Sequence, residues 1–161
     1  MKILGIDPGK SGGLALLDTD ADTYADLAQV WKMPLTEMDV WDALNHGGLR
    51  WQAYNLQHAY RELALSHAFI EKVHAMPGQG VSSTFNFGRN YGMLLMALTA
   101  AGIPFTEVTP QKWQGVMDCR TGGDKNISKR RAQQLFPNID VHHWNADALL
   151  IASYGLKELG L

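Results

Sequence analysis

Three acids in this chain stand where a metal site can form. Asp7 closes the apolar run Ile3-Leu4-Gly5-Ile6, Glu71 closes Ala68-Phe69-Ile70, and Asp147 lies early in a C-terminal helical segment. An aspartate at the end of an apolar strand is costly to desolvate unless it is paired or bound to a cation. Taken singly, each acid has a plainer reading: Asp7 as the start of a turn, Glu71 as an ion pair with Lys72, Asp147 as a helix cap. Adjacent strand ends and an abutting helix would bring all three together. Carboxylate oxygens are hard ligands, suited to Mg²⁺ or Mn²⁺ rather than zinc. Two such ions about 3.5–4 Å apart activate a water and stabilise the leaving oxygen of a phosphodiester.

Two histidines, His142 and His143, precede Asp147. His143 and Asp147 are four apart and share a face if the helix begins early enough. His143 then reads as a fourth metal ligand or as a base for the attacking water. The plainer reading is a pair of histidines in a helix-entry loop. A zinc site of His142, His143 and Asp147 is a third option, although zinc favours imidazoles and thiolates at defined spacings.

The elements that must position these groups are those of one α/β domain spanning residues 1–161, a usual domain length. Residues 2–7 read as a buried strand bounded by Pro8-Gly9, and Leu14–Leu17 as a second strand after a glycine-rich turn, hence antiparallel. Residues 24–33 give a third strand. From Met38 to Leu65 apolar residues recur at three and four, and His46-Gly47-Gly48 interrupts them, so two helices are expected. His67–Val73 is a fourth strand. Residues 75–84 form a glycine-rich loop, Phe87–Ala101 an apolar helix and Phe105–Thr109 a fifth strand. Pro110 suits the first turn of a short helix containing Trp113. Ile127–Phe136 is a basic helix and Asn145–Leu159 a final amphipathic one. A mixed sheet with helices on both faces follows.

The formal net charge of -2 argues against a nucleic-acid binder, but its distribution is uneven. Residues 1–71 carry ten acids and five bases, whereas residues 72–161 carry six acids and nine bases. Lys112, Arg120, Lys125, Lys129, Arg130 and Arg131 fall within twenty positions that hold only Asp118 and Asp124 as acids. Such a stripe can bind phosphates on an acidic protein; it also reads as a solvated helix face. One cysteine, Cys119, excludes a disulfide framework within the chain and fits a reducing cytosol. No apolar run approaches the ~18 residues of a membrane span, and Asp7 arrives too early for a signal peptide.

Ile3-Leu4-Gly5-Ile6-Asp7-Pro8-Gly9, followed by Gly12-Gly13-Leu14-Ala15, resembles the opening of RuvC-type Holliday junction resolvases, members of the RNase H-like superfamily. Phe69-Ile70-Glu71-Lys72-Val73 resembles the second acidic motif, and Ala146-Asp147-Ala148-Leu149-Leu150-Ile151-Ala152 the terminal one. All three occur in the family's order and near its separations, from residue 1 to about 155. Met76-Pro77-Gly78-Gln79-Gly80 and Thr109-Pro110-Gln111-Lys112-Trp113 look most like the phage branch.

The resemblance implies an RNase H-like fold: a five-stranded mixed sheet, three strands antiparallel and two parallel, flanked by helices. It implies an endonuclease that resolves four-way DNA junctions by paired nicks, with two Mg²⁺ or Mn²⁺ ions held by Asp7, Glu71 and Asp147. The family's fourth acid lies three or four residues before the last; those places hold Trp144 and His143 here. His143 is therefore the expected fourth ligand, with Asp140 or His142 as alternatives. The aromatic wedge that family members place after the second acid is unassigned, His74, Met76 and Phe85 being the nearest residues. A homodimer with two sites on one junction is implied, and Phe87–Ala101 offers a face for its interface or for packing on the sheet. Lys112, Lys125, Lys129, Arg130 and Arg131 are the expected phosphate contacts, with Gln79, Ser82 and Ser83 near the scissile bond. The expected setting is cytoplasmic, that of a bacterial host for a phage protein.

Three other readings differ in kind. An actin-like ATPase or sugar kinase also opens with a strand, an aspartate and a hairpin, but needs two lobes and a far longer chain. A nuclease acting on flaps, forks or RNA precursors would share every catalytic residue. A junction binder without catalysis would have lost an acid, and only the fourth ligand differs.

Overall fold

Alternation along the apolar runs decides which face of the sheet each side chain covers. The computed structural model describes residues 1–21, 27–33, 65–75 and 77–161. Within them five strands form one sheet: β1 (Lys2–Asp7), β2 (Gly13–Asp18), β3 (Ala28–Lys32), β4 (Leu65–Glu71) and β5 (Phe105–Val108). The strand order is β3-β2-β1-β4-β5. β1, β2 and β3 pair antiparallel, while β4 and β5 run parallel to β1. The architecture is thus the expected mixed sheet. The two helices expected between Met38 and Leu65 lie outside the described residues, apart from Leu65, which opens β4.

In β1, Leu4 and Ile6 point to one face and Ile3 to the other, the period of two that a sheet imposes. The first face packs on helix α1 (Val81–Ala100) through Leu94, Ala97 and Leu98. The second face carries α2 (Pro110–Val116), α3 (Lys125–Leu135) and α4 (His143–Glu158). Cys119 is buried in this second core.

Three helix starts come earlier than expected: α3 begins at Lys125 rather than Ile127, and the starts of α1 and α4 also bear on function. α1 begins at Val81, so Val81–Thr84 are helical rather than part of the loop. Its first half holds Ser82, Ser83, Asn86 and Gly88 and stays largely exposed, with Val81 and Phe85 open to solvent. No burial enforced an apolar stripe there, so no helical period marked it. Its second half covers the sheet, which is the packing alternative for the Phe87–Ala101 segment. α4 begins at His143, because Asn145 and His142 close a reciprocal cap: the Asn145 side chain accepts from the His142 backbone N–H at 2.7 Å.

α4 lies directly on β1. A Cβ at Gly5 would stand 2.2 Å from the Ala148 carbonyl oxygen and 2.5 Å from the Ala152 nitrogen, so only glycine admits this approach. Gly5→Ala should therefore lever the helix off the strand and cost about 3 kcal/mol, the upper end of ordinary overpacking. Urea unfolding measures this; a variant as stable as the parent would show that the helix can shift freely.

Candidate active site

The parallel pairing of β1 with β4 sets Ile6 beside Ile70, so Asp7 and Glu71 leave the same edge of the sheet on neighbouring strands. Asp147, one turn into α4, comes to the same edge because α4 crosses β1. The three carboxylates feel one another. Burial and the Asp147 charge push Asp7 up to about 6, although the Gly9 N–H donates to its Oδ1 at 3.1 Å. Burial and the Asp7 charge push Glu71 up to about 7, with Asp147 adding to the effect. Burial also raises Asp147. Gly12 makes room for this arrangement, since a Cβ there would lie 2.6 Å from the Asp7 carboxyl carbon.

Groups that favour the ionised carboxylates surround them. Lys125, the first residue of α3, pulls all three down. Its helix is set by Asp124, whose side chain accepts from the Asn126 N–H at 2.9 Å. Ser128 sits beside Asp147; its single hydroxyl proton serves either that carboxylate or the Lys125 carbonyl, 3.2 Å away. The indole N–H of Trp113 donates to Glu71 Oε2 at 2.8 Å. None of these three roles was expected. Lys125 was read as a phosphate contact, Trp113 as a helix residue and Ser128 not at all. The hint for Trp113 was its place one turn beyond Pro110, where the strand beside Glu71 ends.

His143 opens α4 at the solvent edge, four residues before Asp147, and its charge acts on that carboxylate. His142 and Asp140 do not join the cluster. Both are exposed, they pair with each other at 2.8 Å, and His142 stacks near Trp144. Of the three candidates for a fourth ligand, only His143 acts on one of the three acids.

By donor type the site suits a hard divalent cation. Oδ1 of Asp147 is buried without a hydrogen-bond partner, and the like charges raise each other, both of which a cation would relieve. The side chains as they stand are not gathered on one point: among the described residues no three His, Cys, Asp or Glu groups converge closely enough to hold an ion. Binding would have to draw them inward.

The basic residues separate into groups. Lys112 pairs with Glu158 at 2.7 Å and lies over the Tyr154 ring, so its charge is already matched. Arg131 is anchored by its Nε to the Met117 carbonyl at 2.9 Å. Lys129 and Arg130 lie further along α3, Arg130 exposed and Lys129 half-buried. Gln79, Gly80, Ser83 and Asn86 line a cavity of about 870 Å³ with Lys10, from the turn that follows Asp7. Asn90 in its wall donates to the Pro8 carbonyl at 3.2 Å and ties α1 to that turn. Ser82 is exposed on the first turn of α1, His74 is exposed, and Met76 lies outside the described residues.

With the sheet order and the helices on both faces established, the architecture is the RNase H-like fold in the form found in RuvC. Two solved structures share it along nearly their whole length. Thermus thermophilus RuvC superimposes with a TM-score of 0.60 at 18% identity, over 99% of this chain and 97% of that one. T. thermophilus RuvC in complex with Holliday junction substrate gives 0.59 at 17%, over 99% and 96%. No protein-family model matches the chain, and no curated protein matches it in sequence. The likeness is therefore one of fold.

The raised carboxylates fix a pH dependence for the metal-free protein. Asp7 and Glu71 hold protons more tightly folded than unfolded, so their ionisation opposes folding. Stability should fall as pH rises from their ordinary values, 3.8 and 4.5, through about 6 and about 7. In a chelator, the melting temperature should drop across that window, and Asp7→Asn should flatten the drop. Identical profiles for parent and variant would mean that Asp7 is not strained by its surroundings.

Proposed function

We propose that this chain is a divalent-metal-dependent endonuclease for branched DNA, with four-way junctions as its preferred substrate. The observation that carries the reading is that Asp7, Glu71 and Asp147 lie at one sheet edge, near enough for Asp147 to act on Asp7 and for both to act on Glu71. The support beside it is the fold shared with RuvC, one of whose structures is described as bound to Holliday junction substrate. The motifs Met76–Gly80 and Thr109–Trp113 suggest the phage-like branch, acting in a bacterial cytoplasm. Among the described residues no helix is long and apolar enough to cross a membrane.

Asp7, Glu71 and Asp147 would hold Mg²⁺ or Mn²⁺, two ions per site, with His143 as a fourth ligand or a base. Ions so held supply Lewis acidity for an attacking water and for the departing 3′-oxygen of a phosphodiester. The chain's own part is to present ionised oxygens. Lys125 and the N–H groups of Gly9 and Trp113 favour that form. In its alternative role, an imidazole nitrogen of His143 accepts the proton of the attacking water at the solvent side. Lys129, Arg130 and Arg131 contact backbone phosphates from α3, and Gln79, Ser82 and Ser83 border the strand near the scissile bond. A two-fold dimer would put two such sites on one junction and give paired nicks.

The direct test uses an end-labelled synthetic junction and its matching duplex in Mg²⁺, Mn²⁺ or EDTA. Paired symmetric nicks in the junction alone are expected, abolished by EDTA and by Asp7→Asn, Glu71→Gln or Asp147→Asn. Equal cutting of flaps and forks would make this a general branched-DNA nuclease. Binding without cutting in either metal would sink the catalytic reading. In binding assays, Lys129→Ala or Arg130→Ala should each lower the slope of log affinity against log salt by about one, the signature of one lost phosphate contact. Lys112→Ala should change it less, because Glu158 already holds that charge.

A further inference from the structure

Trp113 is the largest of the fully buried side chains among the described residues, yet its one polar atom ends on a carboxylate at the rim of the site. The backbone explains how. Glu71 pairs with Val108 in the parallel register, and α2 begins two residues later with Thr109 as cap and Pro110 in its first turn. One turn into α2, the Trp113 ring enters the second core among Met117, Cys119 and Ala132. Its Nε1 reaches Glu71 Oε2 at 2.8 Å, and among the described residues no other hydrogen bond to the Glu71 side chain is seen.

Glu71 needs a tether. Asp7 and Asp147 repel it, and rotation outward would relieve that repulsion. A lysine or arginine could hold it, but would cancel the charge a cation requires. A neutral N–H on a fully packed ring holds one oxygen and leaves the carboxylate its charge. We propose that Trp113 is a positioning residue: its indole N–H fixes Oε2 of Glu71 and leaves Oε1 as the donor to the metal. The proposal rests on the reading of Glu71 as a metal ligand.

The chain has five tryptophans, so a ¹⁵N–¹H spectrum holds five indole signals. The Trp113 signal, assigned through the backbone, should exchange slowly and move in Glu71→Gln and on addition of Mg²⁺ to the parent. Trp113→Phe keeps the ring's bulk and removes the donor. Its Mn²⁺ dissociation constant, from the free-ion signal in electron paramagnetic resonance, should rise about tenfold or more, as for other residues that orient a metal ligand. The Mg²⁺ concentration for half-maximal cutting should rise in step, with KM for the junction unchanged.

A Trp113 signal that ignores both Glu71→Gln and Mg²⁺ would overturn the proposal even if the phenylalanine variant failed to fold. So would a folded Trp113→Phe protein that binds Mn²⁺ as the parent does, while parental junction cutting would leave the nuclease reading standing. Weaker Mn²⁺ binding by the variant, with no cutting by the parent, would support the tether and overturn the nuclease reading. A parent that binds neither ion would end both.

Discussion

Helix α4 rests on β1 at a distance that only a glycine at position 5 permits, and the candidate site depends on that contact. Asp7 and Glu71 would share a sheet edge through strand pairing alone, since parallel neighbours in register end together. Asp147 arrives by a different route, from a helix crossing the sheet. Its approach is set by the Ala148 and Ala152 backbone, packed where a side chain on residue 5 would otherwise stand. Close packing between an element and its support is what fixes a functional group to within a fraction of an ångström.

Bringing three acids to one edge is electrostatically unfavourable, and the surroundings show where the cost is offset. Gly9, Trp113 and Lys125 each favour an ionised carboxylate, but they do so from different elements: a turn, a short helix and a second helix's first residue. Burial and mutual repulsion still win at Asp7 and Glu71. The chain thus maintains a locally frustrated cluster at the end of an otherwise well-satisfied core. Frustration confined to one place is the expected mark of a site rather than of a poor fold.

Much of this was legible in the sequence where burial imposed a period. β1 and β2 are short apolar runs broken by Pro8-Gly9 and Gly12-Gly13, and their pairing followed from the length of the turn between them. Asp7 and Glu71 stood out because each ends such a run. Asp147 stood out less, because it closes no apolar strand and reads equally well as a helix cap. The first half of α1 was missed because it covers nothing, so its small and polar residues looked like loop. The start of α4 was placed late because its cap is made by His142 and Asn145, a pair outside the usual Ser, Thr and Asp signals. Trp113, Ser128 and Lys125 could not be assigned to the carboxylates from spacing, since those contacts join separate elements far apart in the chain.

The lone cysteine has a practical side. Cys119 is packed into the second core, and burial pushes its thiol up to about 11. At neutral pH it offers almost no thiolate and little access to reagents. Maleimide chemistry would therefore pass over the parent chain, and a new cysteine on the open half of α1 or along α3 would be the sole attachment point for a dye. The molecule comes ready for distance measurements between its own elements, with no thiol to remove first.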